Sequence, residues 1–152
     1  MLLAVSALAQ ASISQVGSKS TAELDVQKNE FAQQKQDIIA KLADGKTYSE
    51  ISSQDRGTVR AALDRIEDKL NGAGGVEGLT MEQKVEVFND QETVNTLLTK
   101  AGKDSRLVCK RETTVSSRLP TTQCLTVAER KRVYEEAQNM IRNAKIPMLE
   151  QR

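Results

Sequence analysis

The reciprocal helix-start pattern Ser/Thr-x-x-Glu/Gln stands before three predicted helical runs: Ser20 with Glu23, Thr80 with Gln83, and Thr126 with Glu129. In such a box the hydroxyl accepts from the backbone N–H three residues on, and that residue's side chain accepts from the N–H of the hydroxyl residue. Two donors that a helix leaves bare are satisfied at once. A fourth cluster of cap residues, Ser52-Ser53-Gln54-Asp55, precedes Val59, Leu63, Ile66 and Leu70, which fall on one helical face. Helix starts recurring along 152 residues limit the chain to a mainly α fold. About four to five helices are expected, in a single helical domain over residues 20–152.

The first helix is predicted from the Ser20 box to Ala43, stopped by Asp44-Gly45. Leu24, Phe31 and Ile38 recur at heptad spacing, joined by Ile39 and Leu42, while Gln27, Gln33, Gln34 and Gln36 thin the seam. Such a helix either packs by one narrow stripe or waits for a partner. The second, carrying Val59 to Leu70, ends at Asn71-Gly72-Ala73-Gly74-Gly75. No strand precedes these glycines, so they read as a linker and not as a phosphate-binding loop. After Thr80, Met81, Val85 and Phe88 make one face, and Asn89-Asp90-Gln91-Glu92 repeats the cap chemistry in mid-run. Two short helices, or one kinked one, are expected there; the second part carries Val94, Leu97 and Leu98, and Gly102 closes it.

From Arg106 the pattern turns β-prone. Residues 106–112 and 120–125 read as the two strands of a hairpin, with Pro120 confining the second to an edge or a strand start. A lone hairpin is marginal in water, so a cross-link and a packed helix must support it. Cys109 and Cys124 supply the cross-link if they oppose one another, since residues paired at a non-hydrogen-bonded antiparallel site lie about 4.5 Å apart at Cα. The alternative is two buried thiols. The last helix follows the Thr126 box, with Tyr134, Ala137, Ile141 and Ala144 as its apolar face and an end near Pro147.

Residues 1–11 form an uncharged apolar run closing on Ala9-Gln10-Ala11, the small-x-small pattern that a signal peptidase cuts after. No basic residue precedes the run, so it reads as part of a signal peptide whose start lies upstream of Met1. The alternative is an apolar helix packed on the body or anchored to a membrane. Residues 12–19, rich in Ser and Gln, read as a flexible mature N-terminus. Export to the periplasm and a disulfide support one another.

The chain contains no His, no Trp and only four aromatic residues. Ser-His-Asp and Cys-His catalysis and His-ligated zinc are therefore excluded. No Asp-x-Asp-x-Asp-Gly loop, Gly-x-Ser-x-Gly elbow or Ser-x-x-Lys pair occurs, and four aromatics leave little to line a saccharide cleft. No catalytic residue, metal ligand or cofactor is assigned, and the chain is expected not to be an enzyme. Charge is distributed unevenly: residues 1–102 hold 11 basic and 15 acidic side chains, residues 103–152 hold 11 and 6. Lys110, Arg111 and Arg118 on the hairpin, with Arg130, Lys131 and Arg132 on the last helix, form a candidate partner-binding surface. The same end docking on the protein's own acidic half is the competing reading. With no interleaved aromatics and a pI near 7.7, nucleic acid is a poor candidate partner.

Residues 89–98, 104–112 and 119–130, together with the segment from Tyr48 to Leu63, resemble a group of small exported proteins of γ-proteobacteria. Those proteins carry a Cys-basic-x-Glu element, a short turn, and a second Cys followed by Thr and a charged helix. Here the elements read Cys109-Lys110-Arg111-Glu112 and Cys124-Leu125-Thr126. Members often have Thr-Gly in the hairpin turn, where this chain has Val115-Ser116-Ser117. The resemblance covers about half the chain, from Tyr48 to Leu70 and from Asn89 to Arg142. It implies a periplasmic address and a disulfide, not a reaction. The function expected is that of a periplasmic adaptor, or an inhibitor or immunity-type partner of an envelope protein. A binder of small ligands or of an anionic membrane surface is the alternative.

Overall fold

The computed structural model describes residues 23–28, 30–113 and 119–149, with side chains to Ala144. The signal-like run 1–11, the segment 12–19, Ser20 of the first capping box, the turn at Val115-Ser116-Ser117 and Arg118 lie outside the described residues. The described residues form four α-helices and one antiparallel hairpin: α1 (Phe31–Ala43), α2 (Ser53–Ala73), α3 (Met81–Asp104), β1 (Leu107–Glu112), β2 (Thr121–Thr126) and α4 (Val127–Leu149). A 3₁₀ turn, Val76–Gly78, lies between α2 and α3.

The core is built around α2. Ser52 caps it by accepting from the Asp55 backbone N–H at 2.9 Å, and Val59, Ala62, Leu63, Ile66 and Leu70 are all buried, as the spacing predicted. Gly74 closes the helix in the left-handed region (φ 71°), where a residue with a side chain would be strained. The chain turns back through a short linker whose Gly78 approaches Ala73 too closely to admit a Cβ. Arg65 with Asp90 and Lys69 with Glu86 then tie the two helices antiparallel. Ile38 and Leu42 of α1, Tyr48 and Ile51 of the following loop, and Val87, Val94, Leu98 and Ala101 of α3 complete an almost wholly aliphatic core.

Three predicted boundaries are corrected. Helix α1 begins at Phe31, not at the Ser20 box, and residues 23–25 run extended. Asp25 is the local cause: its Oδ1 accepts from the Gln27 N–H and its carbonyl from the Lys28 N–H, a turn that competes with helix. Extended backbone then needs partners, and three amide side chains supply them. Asn95 accepts from the Leu24 N–H (2.8 Å) and donates to the Leu24 carbonyl (2.9 Å), Gln34 does the same for Asp25 (2.9 and 3.0 Å), and Gln91 accepts from the Val26 N–H (2.8 Å). The segment is strapped down with Leu24 and Val26 only 1% and 2% exposed.

Helix α3 is continuous through Asn89-Asp90-Gln91-Glu92, so neither the break nor the kink occurs. The polar run that imitates a cap is used in tertiary contacts: Asp90 pairs with Arg65 and Gln91 holds the strap. The capping box of Thr80 and Gln83 is present. The face made by Met81, Val85 and Phe88 points outward (81%, 57% and 37% exposed), whereas the Val87, Val94, Leu98 stripe is buried. The third correction is small: α4 continues two residues past Pro147, the extent over which helix ends fray.

Candidate functional site: the hairpin and the last helix

Strands β1 and β2 pair in the register Leu107 with Thr126 through Glu112 with Thr121. That register sets Cys109 opposite Cys124, Cα atoms 4.0 Å apart, and the two form a disulfide. Pro120 immediately precedes β2, the place a residue without an N–H is tolerated. Nine of the twelve strand residues are exposed, so the hairpin carries no core of its own and stands on the disulfide and on its mount.

The mount centres on Glu50, in the loop between α1 and α2. Its Oε1 accepts from the Thr126 hydroxyl (2.8 Å), its Oε2 from the Arg132 guanidinium (2.9 Å), and its backbone N–H donates to Ser105 Oγ (2.9 Å). Glu50 thus joins the body to the end of α3 through its backbone, and to the last residue of β2 and the first turns of α4 through its carboxylate. The Thr126 box is closed as the sequence predicted: the Thr126 N–H donates to Glu129 and the Glu129 N–H to Thr126 Oγ1 (2.8 and 3.0 Å). The Val127 N–H donates to the Arg106 carbonyl (3.0 Å), so β2 passes into α4 with no intervening loop.

Of the six basic residues singled out by charge, the structure divides five into two sets. Lys110 and Arg111 are exposed on β1, and Lys131 is exposed on α4 with only its helical neighbour Glu135 at 3.8 Å. Arg130 and Arg132 are engaged with the protein itself: Arg130 donates to the Val108 carbonyl (3.0 Å), and Arg132, though exposed, belongs to the Glu50 mount. The basic end therefore does dock on one acidic residue of the body, but only through Arg132. Beyond Arg132 α4 leaves the body, and every residue from Lys131 to Ala144 is exposed. The predicted apolar face of Tyr134, Ala137, Ile141 and Ala144 is present but exposed, so α4 supports the hairpin through its start, up to Arg132.

Glu50 was not legible as a functional position, because its partners lie 55, 76 and 82 residues away. The Arg132 guanidinium, and then the Thr126 hydroxyl, hold its carboxyl below the ordinary carboxylate range. A carboxyl depressed in the fold stabilises above its unfolded pKa, about 4.3, and that contribution is lost as pH falls through the folded value. The expected result on acidification below about pH 4.3 is loosening of the hairpin and α4 from the body before the core yields. Amide exchange at Thr126 and Val127 followed against pH checks this, and Glu50→Gln should remove the pH-dependent part; an unchanged profile in that variant would assign the loosening to another carboxyl.

The concavities among the described residues are shallow and polar. The larger, about 530 Å³, is an open groove beside α3 bordered by Glu23, Glu92, Lys100, Lys103 and Asp104. The smaller, about 390 Å³, lies along the strap beside Phe88. Among the described residues no three Cys, Asp or Glu side chains gather in a metal-binding cluster, and no described helix is long and apolar enough to cross a membrane. No protein-family model, no curated protein and no solved structure matches the chain.

Proposed function

We propose that the chain is a non-enzymatic protein-binding module of the periplasm, an adaptor or inhibitor of an envelope protein, whose contact surface is the outer face of the hairpin with the start of α4. The observation that carries this reading is the uncovered hairpin: a disulfide-clipped ribbon exposing Lys110 and Arg111, fixed to the body through Glu50. A rigid, solvated ribbon is a poor device for stabilising a fold and a good one for presenting side chains. The resemblance to small exported γ-proteobacterial proteins supports the address. Open polar grooves favour a macromolecular partner over an enclosed apolar ligand.

Lys110→Glu with Arg111→Glu tests it. Crosslinking in living cells from a C-terminally tagged chain should capture one dominant envelope protein with the native sequence, and the charge-reversed variant should lose that capture by about tenfold or more. Both substitutions sit on exposed strand positions, so the melting temperature should stay unchanged. Undiminished capture by the variant would remove the hairpin from the proposal.

A further inference from the structure

We infer that the hairpin takes up its partner as a third strand: an extended acidic segment of that protein pairs, backbone to backbone, with the free edge of β1. This rests on the hairpin reading above and adds how the partner is held and what chemistry it brings. The Cα atoms of Cys109 and Cys124, 4.0 Å apart, mark a non-hydrogen-bonded pair, for which about 4.5 Å is usual against about 5.5 Å where the bonds are exchanged. The Val127 N–H on the Arg106 carbonyl, three steps along, fixes the same phase. Val108, Lys110 and Glu112 therefore bond across to β2, while Leu107, Cys109 and Arg111 turn their N–H and carbonyl groups away from it, along the outer edge of β1. Among the described residues no third strand lies there, and no backbone group outside the ladder bonds to that row.

A bare row of alternating donors and acceptors is the template on which another extended backbone adds. A phosphate or carboxylate group only accepts, and would leave the three carbonyls without partners. The other edge of the ribbon offers less: the outward N–H of Thr126 is taken by Glu129, Pro120 stands just before the strand, and α4 packs alongside. Charge then chooses the segment. Strand β2 has no charged residue, whereas β1 exposes Lys110 and Arg111, neither of them ion-paired with a described residue. Consecutive strand residues face opposite sides of the ribbon, so an added strand meets both cations with two acidic residues in a row. Opposite charges across a ladder favour pairing and like charges oppose it. Strand β1 has one acid, Glu112, so a second copy of it cannot set an acid against both.

The probe is the end-blocked peptide Thr-Val-Thr-Glu-Glu-Thr-Val-Thr, with amide exchange of the native chain read by NMR. The peptide should slow exchange at Leu107, Cys109 and Arg111 about tenfold or more and leave Thr122 and Cys124, on the far edge, unchanged. The same peptide with Lys-Lys for Glu-Glu should do neither, and Lys110→Glu with Arg111→Glu should weaken binding by about tenfold. Arg111→Pro removes an N–H that the ladder to β2 does not use, so it should bind more weakly than Arg111→Ala, which loses the same charge and keeps the donor. Protection at Val108 and Lys110 checks that the hairpin stands in both, and the result on the native chain needs neither variant. A peptide that shifts the Lys110 and Arg111 side-chain signals while the three outer amides exchange freely overturns strand addition and leaves the hairpin surface standing. A spectrum unchanged by the peptide overturns it as well. Equal binding of the lysine peptide overturns the acidic partner, and concentration-dependent protection of the same amides in the chain alone gives the edge to a second copy instead. The hairpin reading itself falls only on the undiminished capture described above.

Discussion

Reduction of the Cys109–Cys124 bond should unfold the hairpin while the helical body stays folded. The bond closes a separation of 15 residues, for which the chain-entropy model gives roughly 3 kcal/mol. For a hairpin buried in a core such a loss would be shared with its neighbours. Here the strands pair only with each other, and both cysteines lie on an exposed ribbon, so little else opposes separation. A two-stranded hairpin alone is marginal, and removing about 3 kcal/mol places it on the unfolded side. The body contributes none of its apolar core to the strands: the buried cluster runs from Leu24 to Ala101 and stops before β1.

Amide exchange measured with and without reductant distinguishes the outcomes. Protection across Leu107–Glu112 and Thr121–Thr126 should fall, while that of Val59 to Leu70 and Val87 to Leu98 persists. Joint collapse of both regions would make hairpin and body one cooperative unit, and a hairpin still protected after reduction would leave the bond without a structural role. The expected result also ties function to compartment. In a reducing compartment the contact surface proposed for a partner would not be assembled, whereas in an oxidising one it is.

What could be read from the chain divides by the range of the interactions. Helix α2 was legible because its stripe lies within its own 21 residues and its cap, Ser52, and glycine stop, Gly74, directly adjoin them. The hairpin was legible because its β-prone runs and its two cysteines are near neighbours in the chain. The first helix was misplaced because Ser-x-x-Glu and a Leu24–Phe31–Ile38 heptad favour helix locally, while beside the Asp25 turn two of the partners that hold the strap, Gln91 on Val26 and Asn95 on Leu24, lie 65 and 71 residues away. The same polar residues misled twice: Gln91, read as cap chemistry, is neither a cap nor a break but a backbone partner for the strap. On α4 the sequence showed an apolar face and the natural inference was that it packs. Amphipathic spacing records that a face is to be covered, and whether its own chain covers it is a matter of topology. The candidate surface followed the same division, since net charge located the basic end but could not separate Lys110 and Arg111, which face solvent, from Arg130 and Arg132, which anchor the helix.

Asn95→Ala should release the strap and cost the fold about 2–4 kcal/mol, a large share of the 5–15 kcal/mol typical of a domain. The Asn95 amide makes two part-buried hydrogen bonds to one peptide unit, accepting from the Leu24 N–H and donating to the Leu24 carbonyl, as a neighbouring strand would. Alanine leaves both backbone groups without that partner, at about 1–3 kcal/mol for each group that stays buried. The cheaper response is for the segment to lift off, hydrating its backbone but exposing Leu24 and Val26 and opening the core to which they belong. Leu24→Ala should by itself cost about 2–5 kcal/mol, the usual range for truncating a buried leucine. If the strap moves as a unit the two losses overlap, because a segment already released by Asn95→Ala no longer buries residue 24. The double variant should therefore be little less stable than the worse of the singles, with a coupling of about 1–3 kcal/mol in a double-mutant cycle measured by urea unfolding. Losses that simply add would mean that the strap stays in place without its amide clasp, held by Leu24 and Val26 alone.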